Sequence, residues 1–184
     1  LPPLRPPAAD AEAAAHAWQT LGLVDGQPRV LALHPGSGGA AKCWPPVRFA
    51  ALASHALAAG LRVVLIEGPQ DGAVVAEVLA MLAALAPDGP TPPVAHGLTV
   101  GALAALLARC AAFVGNDSGV AHLAALTGVK TLALFGPTDP RVWAPLGAHV
   151  RTLRAPAHQL DPLPTSDVWR ALTALLGDES PRRG

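Results

Sequence analysis

The stretch Arg29-Val30-Leu31-Ala32-Leu33-His34-Pro35-Gly36-Ser37-Gly38-Gly39-Ala40-Ala41-Lys42-Cys43-Trp44-Pro45-Pro46 passes from a strand pattern through a glycine-rich loop into a helix start. Arg29 to His34 is a short, nearly continuous apolar run, as expected of a strand covered on both faces. Pro45-Pro46 suits the first helical positions, where a missing N–H costs little. Beyond them Phe49, Leu52, Ala53, Ala56 and Leu57 recur on one helical face, and Gly60 ends the helix. Arg62 to Ile66 (RVVLI) reads as the next strand.

The alternation continues outward. Asp71 opens a second helix with Val75, Leu79, Leu82 and Ala86 in register, and a Pro-rich loop, Pro87 to Pro93, carries the chain across. Thr99 is placed to cap a third helix that reaches about Arg109. Ala111 to Val114 is the third strand. A fourth helix begins at Asp117-Ser118 and stops at Gly128. Thr131 to Phe135 is the fourth strand, ended by Gly136-Pro137. Val150 to Leu153 is a candidate edge strand, and Ser166 to Leu176 a last helix. This rhythm predicts an α/β fold, a Rossmann-like parallel sheet with helices on both faces. The expected division is a linker and leading helix (1–28), a Rossmann-like domain (29–155), and a C-terminal helix and tail (156–184). The opening Leu1-Pro2-Pro3-Leu4-Arg5-Pro6-Pro7 has no initiator Met and reads as an interdomain linker. A fragment of a longer enzyme is the expectation.

Composition narrows the classes. With 51% hydrophobic and 14% charged residues and a mean hydropathy of +0.37, the chain has core-forming material and not the signature of disorder. Its net charge is +0, with no basic stripe, which argues against a nucleic-acid partner. Cys43 and Cys110 form no C-x-x-C pair, so neither a disulfide scaffold nor a cysteine zinc site is expected, and a reducing, cytoplasmic setting is. Arg109 interrupts the apolar stretch around Leu103 to Val114 before it reaches a membrane span of about 20 residues.

In an open parallel sheet, ligands sit outside the carboxyl ends of the strands, so the strand-to-helix loops carry the chemistry. The loop from His34 to Pro45 offers three glycines for close backbone approach, the Ser37 hydroxyl, and Lys42 as a point charge suited to phosphate. Only two of the thirteen basic residues are Lys, which makes this one informative. The spacing departs from G-x-x-x-x-G-K-[ST]. A solvated surface loop explains these residues equally well. In Val114-Gly115-Asn116-Asp117-Ser118-Gly119-Val120-Ala121-His122 a strand ends and a helix begins. Asp117 or Ser118 can cap that helix, and the amides of Ser118 and Gly119 lie at its positive end, an anion site in waiting. Capping chemistry without a ligand also accounts for this segment. His122 falls one turn on from Ser118. Phe135-Gly136-Pro137-Thr138-Asp139-Pro140 reads as a rigid turn. Glu67 closes the second strand, where an acidic residue can accept from ribose hydroxyls, or simply be solvated. Together the loops spell a phosphate site beside a ribose site.

The segments HPGSGGAAKCWP (34–45), GPQDG (68–72) and GLTVGALAALLARCAAFVGNDSGVAHLAALTGVKTLALFGPTDPRVWAPLG (97–147) resemble the C-terminal domain of family 9 glycosyltransferases, which include the ADP-heptose:lipopolysaccharide heptosyltransferases. The likeness runs from about Val30 to Gly147. It implies a GT-B architecture with the active site between two Rossmann-like domains. By the same resemblance, Ser37, Gly38 and Lys42 meet the donor diphosphate, Ser118 and Gly119 supply amides, and Asp117 approaches the sugar or orients the loop. Glu67 falls near the ribose-binding acid, with Asp71 as the other candidate. His122 matches a motif His without an assigned role. Lys42 and Asp117 are the catalytic candidates here. No cofactor and no metal are implied. The resemblance makes 29–155 a nucleotide-sugar-binding domain, and the implied partners are a nucleotide-sugar donor with ADP as the leading carrier, a glycan or glycolipid acceptor, the missing N-terminal domain with its acidic base, and, for the full enzyme, peripheral contact with a membrane. Two alternatives stand beside this reading: half of a nucleotide-sugar epimerase, and a non-catalytic nucleotide-binding module. Cys43, beside Lys42 and near a helix start, is expected to have a lowered thiol pKa but no catalytic part.

Overall fold

Strand β1 (Val30–His34) is buried at every position and lies at the centre of the sheet. It pairs with β2 (Arg62–Ile66) on one side and β4 (Ala112–Asn116) on the other. Beyond β2 lies β3 (Val94–Ala95); beyond β4 come β5 (Lys130–Phe135) and β6 (Val150–Arg154). All pairings are parallel, in the order β3-β2-β1-β4-β5-β6. This computed structural model describes residues 3–24 and 29–177. The expected linker's Leu1-Pro2, residues 25–28 and the tail 178–184 lie outside the described residues.

Successive strand residues point to opposite faces, and each face has its own core. Leu31, Leu33, Val63, Leu65, Val114, Leu132 and Leu134 pack under α2 (Pro46–Ala58), α3 (Gly72–Leu85) and α7 (Thr165–Gly177). Val30, Ala32, Val64, Ile66, Phe113, Ala133 and Phe135 pack under α1 (Ala8–Thr20), α4 (Val100–Arg109) and α5 (Gly119–Leu126). Helices on both faces are therefore as the sequence predicts. The leading helix and the C-terminal helix each join one of these layers.

Three elements differ from the sequence reading. β3 is only two residues long, set after Pro92-Pro93, too short to show any period. A one-turn helix, α6 (Pro140–Trp143), follows β5, capped by the Asp139 side chain. And β4 runs two residues past Val114, because Gly115 and Asn116 still pair with Ala133 and Leu134. Gly115 is needed there: a Cβ would stand 2.7 Å from the Phe113 ring and 3.2 Å from the His34 carbonyl oxygen.

The strand order reverses between β1 and β4. The chain leaves β1 toward β2 and leaves β4 toward β5, so the loops after these two neighbours part and open a crevice between them. The residues singled out in the two richest loops flank this switch point.

α4 begins as expected, with Thr99 Oγ1 accepting from Ala102 N at 3.1 Å. The same hydroxyl donates to Asp10 Oδ1 at 3.0 Å, tying α1 to α4. Thr99→Ala removes both bonds and is expected to cost about 1 kcal/mol. A urea titration should show a lower midpoint with an unchanged slope; an unmoved midpoint would mean the cap contributes nothing.

Candidate functional site

Asn116, the last residue of β4, is fully buried. Its Nδ2 donates to the carbonyl of Pro35 at 2.8 Å and contacts that of Gly36 at 3.3 Å, while its Oδ1 accepts from Trp44 N at 3.0 Å. One carboxamide thus holds both ends of the loop after β1 against the end of β4. Trp44 fixes the far end again: its Nε1 donates to the Leu163 carbonyl at 3.0 Å, and its ring meets Phe49 edge-on, 5.0 Å between centroids.

Held this way, the loop brings Ser37 and Lys42 onto Asp117. The Asp117 carboxylate is buried; its Oδ2 accepts from Lys42 Nζ at 3.1 Å and from Thr138 Oγ1 at 2.8 Å. Ser37 Oγ donates to the Asp117 carbonyl at 2.9 Å. The Lys42 side chain remains 39% exposed, so it can reach a ligand while resting on a carboxylate. Thr138 belongs to the segment read as a rigid turn, and its contact with Asp117 makes that turn part of the site. Next to it, Asp139 is held down to about 2 by its hydrogen bonds from Arg141.

Neither Asp117 nor Ser118 caps α5, contrary to the expectation. Ser118 occupies the cap position without a capping bond, and the Asp117 carboxylate is turned to Lys42 and Thr138 instead. The positive end of α5 is left to face outward. Gly119 is exposed, and a Cβ there would meet open space; the same holds for Gly38. Gly36 differs: a Cβ at that position would collide with the Asp71 carboxylate, so this glycine serves internal packing and not ligand approach.

A second buried group lies at the crevice floor. His34 Nε2 is 3.0 Å from Asp71 Oδ2, and Ser118 Oγ is 3.4 Å from His34 Nδ1. Asp71 Oδ2 also accepts from Gly68 N at 2.9 Å. Burial pushes the His34 imidazole below its ordinary pKa, and the bond and charge of Asp71 oppose that shift. With Asp71 engaged inward, Glu67 is the more available of the two acids. It is half-buried at the end of β2, beside Gly72 at the head of α3. His122 is exposed on α5, away from these contacts. Asn116, His34 and Thr138 were not among the residues expected here.

Cys43 reverses an expectation. Burial pushes its thiol pKa up, and the negative charge of Asp71 adds to the rise. Lys42, its sequence neighbour, is turned to Asp117 and gives no relief.

Residues 6–165 match the family model described as glycosyltransferase family 9 (heptosyltransferase). The chain belongs to glycosyltransferase family 9. Lipopolysaccharide heptosyltransferase 3 of Escherichia coli is 36% identical over 107 residues, which is 56% of this chain and 30% of that protein. The structure of the E. coli ADP-heptose lps heptosyltransferase II superposes with a TM-score of 0.79 at 27% identity, covering 95% of this chain and 53% of the other. The family 9 chain therefore spans about half the length of that relative. A UDP-GlcNAc 2-epimerase from Neisseria meningitidis shares the fold, with a TM-score of 0.56 at 12% identity over 88% of this chain and 39% of its own. At that identity the likeness is one of fold alone, and the family match lies with the transferases.

The raised Cys43 pKa implies a small thiolate fraction at neutral pH. Alkylation by iodoacetamide is expected to be slower than for a free thiol at neutral pH, with its midpoint displaced to higher pH. Asp71→Asn removes the charge and should move that midpoint down. Fast modification at neutral pH would contradict the assignment.

Proposed function

We propose that this chain is the donor-binding half of a glycosyltransferase that moves a sugar, a heptose in this reading, from a nucleoside-diphosphate carrier to a lipopolysaccharide-type acceptor. The observation that carries the proposal is the Lys42–Asp117–Thr138 cluster beside the uncapped head of α5, at the switch point of the sheet. A mobile cation and a helix N-terminus aimed at one crevice are what a diphosphate requires. The relatives' names favour an ADP-linked heptose.

Each residue then takes a part. Lys42 neutralises the charge that grows on the leaving diphosphate, together with the amides of Ser118 and Gly119, and this needs no metal. Asp117 acts by orientation: it holds Lys42 in place and sits at the edge of the sugar site. Gly38 leaves room at the loop tip. Ser37 offers its backbone, since its hydroxyl proton is directed to the Asp117 carbonyl. Glu67 accepts from the ribose, and His122, exposed on α5 away from these contacts, is given no part. The acceptor and the base that activates its hydroxyl belong to a second, N-terminal domain. No helix among the described residues is long and apolar enough to cross a membrane. The proposed setting of the full enzyme is the cytoplasm, with peripheral contact at a membrane where a glycolipid acceptor is presented.

Calorimetric titration with ADP, UDP, GDP and adenosine tests the site, and adenosine should bind far more weakly than the diphosphates. Lys42→Ala is expected to weaken diphosphate binding by about 1.5–3 kcal/mol, roughly ten- to a hundredfold. It also strips the buried Asp117 carboxylate of its cation, so the thermal midpoint should drop slightly. Lys130→Ala is the control: it loses a bond from Nζ to the Leu176 carbonyl, so it shares the stability cost and should keep its affinity. Equal affinity in the two variants would place the phosphates elsewhere.

A further inference from the structure

His34 closes β1 at the floor of the crevice, with one ring nitrogen on a carboxylate and the other on a hydroxyl that borders the head of α5. Asp71 is an acceptor only, so the nitrogen facing it, Nε2, carries a proton. The proton that comes and goes is therefore the one on Nδ1. When Nδ1 is bare it accepts the Ser118 hydroxyl proton, and Ser118 turns lone pairs toward the crevice. When Nδ1 is protonated the bond reverses. The imidazolium donates to Ser118 Oγ, and the hydroxyl hydrogen swings outward. A phosphate oxygen is repelled by the first arrangement and bound by the second.

We propose that binding of a pyrophosphate at the head of α5 is coupled to uptake of one proton by His34, which turns the Ser118 hydroxyl from a donor to imidazole into a donor to the phosphate. The inference rests on the donor-site reading above and gives His34 a positioning role exerted through Ser118. The balance is simple. One proton passes from solvent to Nδ1, Ser118 keeps and redirects its own, and no covalent bond to carbon or phosphorus changes.

The surroundings favour such coupling. Asp71, from the loop after β2, stabilises an imidazolium through direct contact. Cys43, from the loop after β1, stays a neutral thiol near Asp71. Asp117 and Lys42 neutralise each other. Glu67 ends β2 beside Gly72, and on the β4 side His34 faces Gly115, which has no titratable group. Burial keeps the empty site's imidazole neutral at neutral pH. A pyrophosphate one hydroxyl away adds negative charge and raises the His34 pKa. The sign follows: affinity grows as pH falls through the window between the empty and the bound His34 pKa, and is flat above it.

The probe is ADP-glucose, whose pyrophosphate diester has no ionisation near neutrality. The His34 imidazole is titrated by NMR in the unaltered chain, with and without saturating ligand. Its pKa is expected to rise by about one unit on binding. Affinity should increase as pH is lowered from 7.5 toward the empty-site His34 pKa, by up to about tenfold for a one-unit rise. In His34→Asn binding should be weaker and equal at both pH values, and in Ser118→Ala the ligand-induced shift should shrink. A His34 pKa that ADP-glucose leaves unmoved, or lowers, overturns the inference while leaving the donor site standing. Failure of both ADP-glucose and UDP-glucose to bind overturns the donor-site reading and this inference with it. Should His34→Asn fail to fold, the titration of the unaltered chain decides by itself.

Discussion

The Asn116 carboxamide is the contact on which the site depends. It spends both its donor and its acceptor functions on the backbone of the loop after β1, in a position closed to water. A glycine-rich loop has much conformational entropy to lose and little side-chain packing to hold it. Clamped at Pro35, Gly36 and Trp44, the loop is exposed at its tip, Gly38 to Ala41, which runs into a single 3-10 turn at Ala40–Lys42. Lys42 and Ser37 reach Asp117 because their stretch of backbone is pinned from both ends. An Asn at this place also explains why β4 continues past its apolar run: the strand must carry the amide to the switch point before the chain turns into α5.

Each of the three strand-to-helix loops divides its polar groups in the same way, some turned inward to set the backbone and others left to the crevice. After β1, His34 faces in and Lys42 faces out. After β2, Asp71 is committed to Gly68 and His34, while Glu67 remains available. After β4, Asn116 is consumed and the head of α5 is left without a cap. His34, Asp71 and Asn116 each bond across to another loop, Asp71 within its own as well, so the loops order one another. That interlock would let the proposed phosphate site, made mostly of backbone, be ordered before any ligand arrives.

The sheet was legible in the sequence because β1, β2, β4 and β5 are largely buried and read as apolar runs, and because Gly and Pro mark most of their ends. β3 escaped, since two residues directly after Pro92-Pro93 carry no period. Within the site, Ser37, Lys42, Asp117 and Ser118 stood out through residue type and loop position. Asn116, His34 and Thr138 did not, because their parts are set by contacts with residues distant in the chain. Asn116 looked like one more loop residue, His34 like the end of an apolar run, and Thr138 like turn filling. A polar residue directly after a fully apolar strand was the signal available for the first two. The Cys43 error has the same origin: burial raises its thiol most, and Asp71, not its chain neighbour Lys42, is the charge that reaches it in space.

The Lys42–Asp117 pair also bears on how a donor site assists departure of its leaving group. A lysine held only by solvent would bind the ground-state diphosphate and lower the barrier little, since an interaction equal in ground and transition states accelerates nothing. Here the ammonium already has an acceptor at 3.1 Å, shared with the Thr138 hydroxyl. A phosphate must compete with that carboxylate, and competes better as its negative charge grows. In the proposed donor site Lys42 would shift its weight from Asp117 toward the leaving group, with Thr138 left to hold the carboxylate. On that proposal the buried acid would lower the affinity of the resting site while keeping the cation's response for the charge that develops during transfer.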